Sequence, residues 1–298
     1  MMTAFITALT PVILLASLGF LLAKRTPYLD SPHLGSLVSN VGLPALLLTA
    51  VLKMNMDFGG MLSIVAATLS CLAGMAAVSY VFLKTMRLST QFYLAPLVNP
   101  NTGNLGIPIA YALFGTEGLA TAVVVSSVVQ VSHFTLGVGF MSGDYHPKQL
   151  LKNGPVVALL LGLLLGLLSL GLGVSLPTPL MSTLEMLSAI TLPIMLMLLG
   201  KSLANLNFSD SSKLYRTIGL ACFRPIVGVL IASLIVPWFG FNSAQEATII
   251  ALQGMSVAVI SYMLATKFAG PKDEIALMIL ISLPIALISA ATVWWLYQ

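Results

Sequence analysis

The chain has 298 residues, of which 58% are hydrophobic and only 7% charged, and its mean hydropathy is +1.02. Soluble domains carry about 25% charged residues, so a water-soluble globular protein is excluded and an integral membrane protein is implied. The net charge of +4 is scattered, with no basic run longer than Lys24-Arg25, which excludes a nucleic-acid-binding surface.

A bilayer core takes about 20 apolar residues as helix. That length predicts ten spans, at 3–23, 34–53, 60–83, 90–114, 117–141, 154–174, 182–204, 214–237, 245–268 and 273–297. The first is followed, not preceded, by Lys24 and Arg25, the reverse of a secretory signal, so it is expected to be retained. The third and eighth hold the two cysteines, Cys71 and Cys222, which read as small buried hydrophobes. The sixth, from Val156 to Leu172, is nearly all Val, Leu and Gly and is the most lipid-like. The fourth and ninth are the least uniform.

Basic residues set the orientation. Lys24, Arg25, Lys84, Arg87, Lys148, Lys152, Lys201, Lys213, Arg216, Lys267 and Lys272 follow odd-numbered spans, and only Lys53 follows an even one. The positive-inside rule then places odd loops in the cytoplasm and both termini outside. The expected location is a bacterial cytoplasmic membrane.

The two halves resemble each other. Gly42-Leu43-Pro44 in span 2 matches Thr191-Leu192-Pro193 in span 7, and each runs on to a lysine (Lys53, Lys201) and a phenylalanine (Phe58, Phe208). Leu69-Ser70-Cys71-Leu72 matches Leu220-Ala221-Cys222-Phe223, and Ser89-Thr90-Gln91 matches Ser243-Ala244-Gln245. Five spans per copy is an odd number, so the second copy is inverted. The predicted organisation is residues 1–141 as one five-helix repeat, 142–153 as a short cytoplasmic loop, and 154–298 as the inverted repeat. Inverted repeats with discontinuous helices in matching positions mark secondary transporters.

The discontinuity is plain in span 4, where Asn99-Pro100-Asn101-Thr102-Gly103-Asn104 interrupts the apolar run. Pro100 lacks an N–H and clashes with the preceding turn, and such a break survives only where it is buried in protein or lines a wet cavity. Carrying the register forward from Gln91 and Gln245 sets Asn99 to Thr102 opposite Gln253-Gly254-Met255-Ser256, a softer break in span 9. After Pro100 a half-helix begins, with Asn101 and Thr102 suited to cap it. Its free N–H groups and positive dipole end would seat a carboxylate. The candidate substrate-binding residues are Asn99, Pro100, Asn101, Thr102, Gly103, Asn104, Gln253, Gly254 and Ser256. The plainer alternative is that the asparagines only satisfy broken backbone.

Pro100-Asn101-Thr102-Gly103-Asn104-Leu105-Gly106-Ile107-Pro108-Ile109, followed by Ala112-Leu113-Phe114-Gly115, resembles the hallmark segment of the auxin efflux carrier family. That family comprises the plant PIN-type carriers and many bacterial permeases. The resemblance implies an all-α membrane fold like that of the bile-acid/sodium symporters, with broken helices 4 and 9 crossing. It also implies a scaffold of spans 1, 2, 6 and 7 and a transport unit of spans 3–5 and 8–10. The central loop is short where the plant carriers often have a long regulatory one, so phosphorylation control there and auxin as substrate are not expected. Bacterial relatives suggest a dicarboxylate such as malonate or malate.

Arg224 stands near the middle of span 8, where a charge demands a partner. The nine acidic residues all fall at span ends or in loops. Two partners stay open: an anionic substrate, or the carbonyl ends of the half-helices near Val98 and Gln253. In the second case Arg224 is a built-in cation where related folds bind sodium. A snorkelling side chain is the third reading.

Span 5 carries Ser126, Gln130, His133 and Gly137 on one helical face. One reading is that this stripe packs against the broken helices; the alternative is that Gln130 lines the site and His133 carries a proton. HExxH, GxSxG, Walker and CxxC patterns are absent, and Gly143-Asp144 has no second membrane aspartate to pair with. The expectation is therefore no enzyme, no cofactor and no metal. The expected function is elevator-type secondary transport of a small organic anion, a mono- or dicarboxylate. A sensor that binds a carboxylate without turnover is the alternative. Expected partners are the bilayer and the anion, with a homodimer through the scaffold helices.

Overall fold

The structure is a computed structural model, and it describes residues 2–42, 44–46, 48–49, 58–143, 177–204 and 214–298, with the single positions 164 and 168. The expected sixth span (apart from those two positions), loop residues 144–153, the end of span 2 with Lys53, and Phe208 lie outside the described residues. Among the described residues all regular structure is helical, and strand-like pairing is confined to one antiparallel bridge, Pro100 with Val257.

Helix α1 (Met2–Arg25) has 24 residues, about 36 Å at 1.5 Å per residue. A short α2 (Pro32–Leu37) starts with the Ser31 side chain accepting from the His33 N–H. It runs into a π-helical turn, Val38–Gly42. Helix α3 (Phe58–Thr85) follows. Then come α4 (Thr90–Val98), a π-helical turn at Thr102–Gly106, and α5 (Ile107–Ser132). At Gly115 the backbone takes φ 67° and ψ −151°, a region open to glycine and closed to residues with a Cβ. The chain turns there, so α5 is two helical segments on either side of residue 115, where spans 4 and 5 were expected to meet.

A π-helical turn at His133–Gly137 joins α5 to α6 (Val138–Ser142). Helices α7 (Thr178–Ala189) and α8 (Thr191–Ala204) occupy the expected span 7, divided at Ile190. Helix α9 (Leu214–Ile235) contains Pro225 and ends in a 3-10 turn, Val236–Phe239. Helices α10 (Ser243–Gln253) and α11 (Val259–Lys267) are the two halves of the expected span 9. The last is α12 (Lys272–Leu296).

Five stretches among the described residues are long and apolar enough to cross a membrane: Gly59–Thr85, Thr102–Ser142, Thr178–Lys201, Leu214–Phe239 and Lys272–Leu296. The protein is thus an all-helical, multi-pass membrane protein.

Contacts divide the chain into two units. The first comprises Met1–Ala66, Gly103–Ser127 and Leu150–Asn205, and the second Ala67–Thr102, Val128–Gln149 and Leu206–Gln298. In the first unit α1 packs along α8. Gly19 lies against the Met197 backbone and Gly200 against that of Ala16, each so close that a Cβ would overlap it. Small residues let helix backbones approach where lipid supplies no hydrophobic drive for association. Lys201 donates to the Leu29 carbonyl and pairs with Asp30 at 3.3 Å.

The second unit is built around α12, which packs on α9, α10 and α11. Its residues Ala276, Ile279, Ser282, Ala286, Ala290 and Val293 recur every three or four positions and are all buried. Phe82 of α3 stacks on Phe223 of α9, with ring centroids 4.1 Å apart.

Candidate functional site

The site is built within the second unit by two helix interruptions. Pro96 and Pro100 weaken the end of α4, and Asn99 leaves the helix with an extended backbone (φ −95°, ψ 113°). At the second interruption α10 ends at Gln253, and the chain stays non-helical through Ala258, which is again extended (φ −74°, ψ 140°). The two breaks lie side by side. Pro100 bridges Val257, and the Asn101 N–H donates to the Ser256 carbonyl at 2.9 Å. Backbone groups stranded by one break are thereby satisfied by the other, which buried backbone requires.

The residues expected from the sequence are placed as follows. Asn99, Pro100, Asn101 and Thr102 are buried in one break, and Gln253, Gly254 and Ser256 in the other. The Asn99 Nδ2 donates back to the Ala95 carbonyl at 3.3 Å. The Thr102 N–H donates to the Pro100 carbonyl at 2.9 Å. The chain after Pro100 resumes as the π-helical turn at Thr102–Gly106, wider than the expected α-helical start. Gly103 and Asn104 are half-buried in that turn, and both belong to the first unit. Gln130 is half-buried in α5 and bonds to neither break. His133, next to it on the stripe, is 1% exposed and opens the π-helical turn at the end of α5.

Arg224 is fully buried. Its Nη1 donates to the carbonyl of Gln253, the last residue of α10, and its Nη2 to that of Val98, the last residue of α4, at 3.4 Å. A helix C-terminus carries about half a negative charge, so two of them offer about one unit to a single guanidinium. The planar fork of arginine reaches two acceptors at once, which the point charge of lysine does not. Gly228, one turn further along α9, makes this approach possible. A Cβ there would overlap the Gln253 carbonyl and stand 2.6 Å from Arg224 Nη1.

Around these paired breaks several buried polar atoms have no hydrogen-bond partner among the described residues: Asn99 Oδ1, Asn101 Nδ2, Arg224 Nε, Gln253 Nε2, Ser256 Oγ and His133 Nε2. A buried polar group left unsatisfied costs about 1–3 kcal/mol. Among the described residues no group of three or more His, Cys, Asp or Glu side chains could hold a metal ion.

Sequence reasoning missed a second polar cluster in the same unit. Glu274, assigned to a span end, is buried in the first turn of α12. It accepts from Tyr93 Oη at 2.5 Å, from Arg216 Nε at 2.8 Å and Nη2 at 2.6 Å, and from Thr217 Oγ1 at 3.3 Å. Arg216 also lies over the Tyr93 ring, 5.8 Å from its centroid. The available signal was an acid and a base, Glu274 and Arg216, each near the start of an expected span on the same membrane side. Ser282 was missed as well: an isolated serine in a long apolar helix gives no sign of its partner.

A multi-pass helical membrane protein with two interrupted helices meeting at their breaks belongs to the transporter class, where discontinuous helices hold substrates and ions near the bilayer midplane. A family model described as membrane transport protein matches residues 4–149 and 141–295, and the chain belongs to this family, the auxin efflux carriers that its fourth-span segment resembles. An uncharacterised transporter of Methanocaldococcus jannaschii is 28% identical over 204 residues, covering 66% of this chain and 65% of that protein. An uncharacterised transporter of Methanothermobacter thermautotrophicus is 24% identical over 272 residues, covering 87% of each chain.

Proposed function

We propose that the protein is a secondary transporter that carries a small organic anion, a mono- or dicarboxylate such as malonate or malate, across a bacterial cytoplasmic membrane. The observation that carries this reading is the set of unpartnered buried atoms at the crossing. Asn101 Nδ2, Gln253 Nε2 and Arg224 Nε are donors, and Ser256 Oγ can donate. Carboxylate oxygens accept such donors, and charge-assisted bonds are the stronger kind. In this reading Asn99 to Thr102, Gln253, Gly254 and Ser256 form the binding segment, with Gln130 at its edge.

The reading extends to a ten-span inverted repeat with both termini outside, and to an elevator-type cycle. The transport unit of spans 3–5 and 8–10, which holds Asn99 to Thr102 and Gln253 to Ser256, is the body that moves with the substrate. Arg224 stands in for a coupling cation, since its charge already balances the two helix ends.

The test is uptake of radiolabelled malonate and malate into vesicles reconstituted with the purified protein. Wild type is expected to accumulate one of them. Asn101→Leu is expected to lose uptake while melting within about 2 °C of wild type, because it removes one donor that holds nothing in the fold. Normal uptake by Asn101→Leu overturns this site.

A further inference from the structure

We propose that α12 is a strut that sets the geometry of the crossing, and that Ser282 is its positioning residue, acting on the bound anion through the backbone of Val257. This rests on the reading that the anion binds at the crossing.

The N–H groups of Gly254 and Met255 still bond back to carbonyls at the end of α10, but Ser256 to Ala258 lie outside any helix. Val257 is fully buried, so its N–H needs a partner from elsewhere. That partner is Ser282 Oγ, at 3.0 Å, in the middle of α12. The same hydroxyl donates to the Ile279 carbonyl at 3.1 Å, so its hydrogen is committed within α12 and its lone pairs face the break. A serine inside a helix ordinarily back-bonds in this way and does nothing further. Here the second bond fixes the residue that bridges Pro100 and follows Ser256, whose carbonyl holds Asn101. A displacement of Val257 therefore moves Asn101 and Ser256, two of the residues with unpartnered polar atoms.

The outer ends of both half-helices are tied to the two ends of the same helix. In the first turn of α4, Tyr93 Oη donates to Glu274 at the start of α12 at 2.5 Å. In the first turn of α10, Glu246 Oε1 accepts from Tyr297 Oη, just past the end of α12, at 2.6 Å. Each half-helix thus has a tyrosine–glutamate tie to α12 at its outer end, and Ser282 holds the break of the second near the centre. Tethers at both ends and the middle of one helix keep the crossing in register when the unit moves.

Hydrogen exchange followed by mass spectrometry, on ligand-free protein in detergent, reads the strut directly. Ser282→Ala is expected to speed exchange at residues 254–258 about tenfold, and Ser282→Thr, which keeps the hydroxyl, to restore it. In vesicles, Ser282→Ala is expected to raise the KM for malonate about tenfold with the maximal rate within about twofold, again restored by Ser282→Thr. Wild-type exchange in Ser282→Ala overturns the strut. Faster exchange with an unchanged KM overturns the positioning role and leaves Ser282 purely structural. Should Ser282→Ala not fold, Tyr297→Phe reads the same strut at its far end, where faster exchange in residues 243–247 is expected and unchanged exchange overturns it. If wild type takes up no carboxylate, the proposed function and the positioning role fail together, while the exchange measurement still decides the strut.

Discussion

Replacing Arg224 with methionine keeps most of the side-chain volume and removes the charge and both bonds to the helix ends. Hydrogen bonds that involve a charged group contribute about 1.5–3 kcal/mol each, net of desolvation. The bond to the Gln253 carbonyl is short and the one to Val98 is long, at 3.4 Å, so the lower end of the pair sum is the better figure. The expected loss is about 3 kcal/mol. At about 2 °C per kcal/mol for a chain of this size, Arg224→Met is expected to melt about 6 °C below wild type. Arg224→Lys keeps the charge but not the fork and is expected to fall between the two. The assay is a fluorescence melting curve in detergent, with and without sodium. Wild-type melting and uptake are expected to be indifferent to sodium, because the fixed cation fills its place. If Arg224→Met melts as wild type and fails only to bind carboxylate, the guanidinium serves the ligand and not the helix ends. Strict sodium dependence of wild-type uptake refutes the built-in cation.

Gly228→Ala places a methyl group where the Gln253 carbonyl and Arg224 Nη1 now lie. It is expected to cost about 1–3 kcal/mol through overpacking, read as a lower melting temperature. For orientation, single cysteines are introduced at Gln298 and at Lys24 in a chain with Cys71 and Cys222 replaced by alanine. A membrane-impermeant thiol reagent is expected to label position 298 in intact cells and position 24 only after permeabilisation. Labelling of position 24 in intact cells refutes the proposed topology.

Several helices, and the interruptions at Asn99–Thr102 and Gln253–Ser256, were legible in the sequence because both are local matters, whereas the division at Ile190 and the π-helical turns at Val38–Gly42 and His133–Gly137 were not. Hydropathy and length place α3, α9 and α12, and the backbone chemistry of Pro100, Gly103 and Gly254 interrupts the expected fourth and ninth spans whatever lies around them. The turn at Gly115 fell between two predicted spans for the same reason. The partners were legible only in part. Arg224 announced that it needed one, and the carbonyl ends near Val98 and Gln253 were one of the readings left open beside an anionic substrate; these acceptors, Gln253 and Val98, lie 29 and 126 residues away along the chain. Only the convergence of α4 and α10 brings their last carbonyls to one guanidinium. Glu274 looked like a solvated span end until Tyr93 and Arg216, 181 and 58 residues distant, closed around it. Ser282 carried no signal at all, since a serine that back-bonds within its own helix reads the same whether or not its lone pairs hold a neighbouring helix break. Local chemistry decides where a backbone must break, and the tertiary fold alone decides which distant group satisfies what the break exposes.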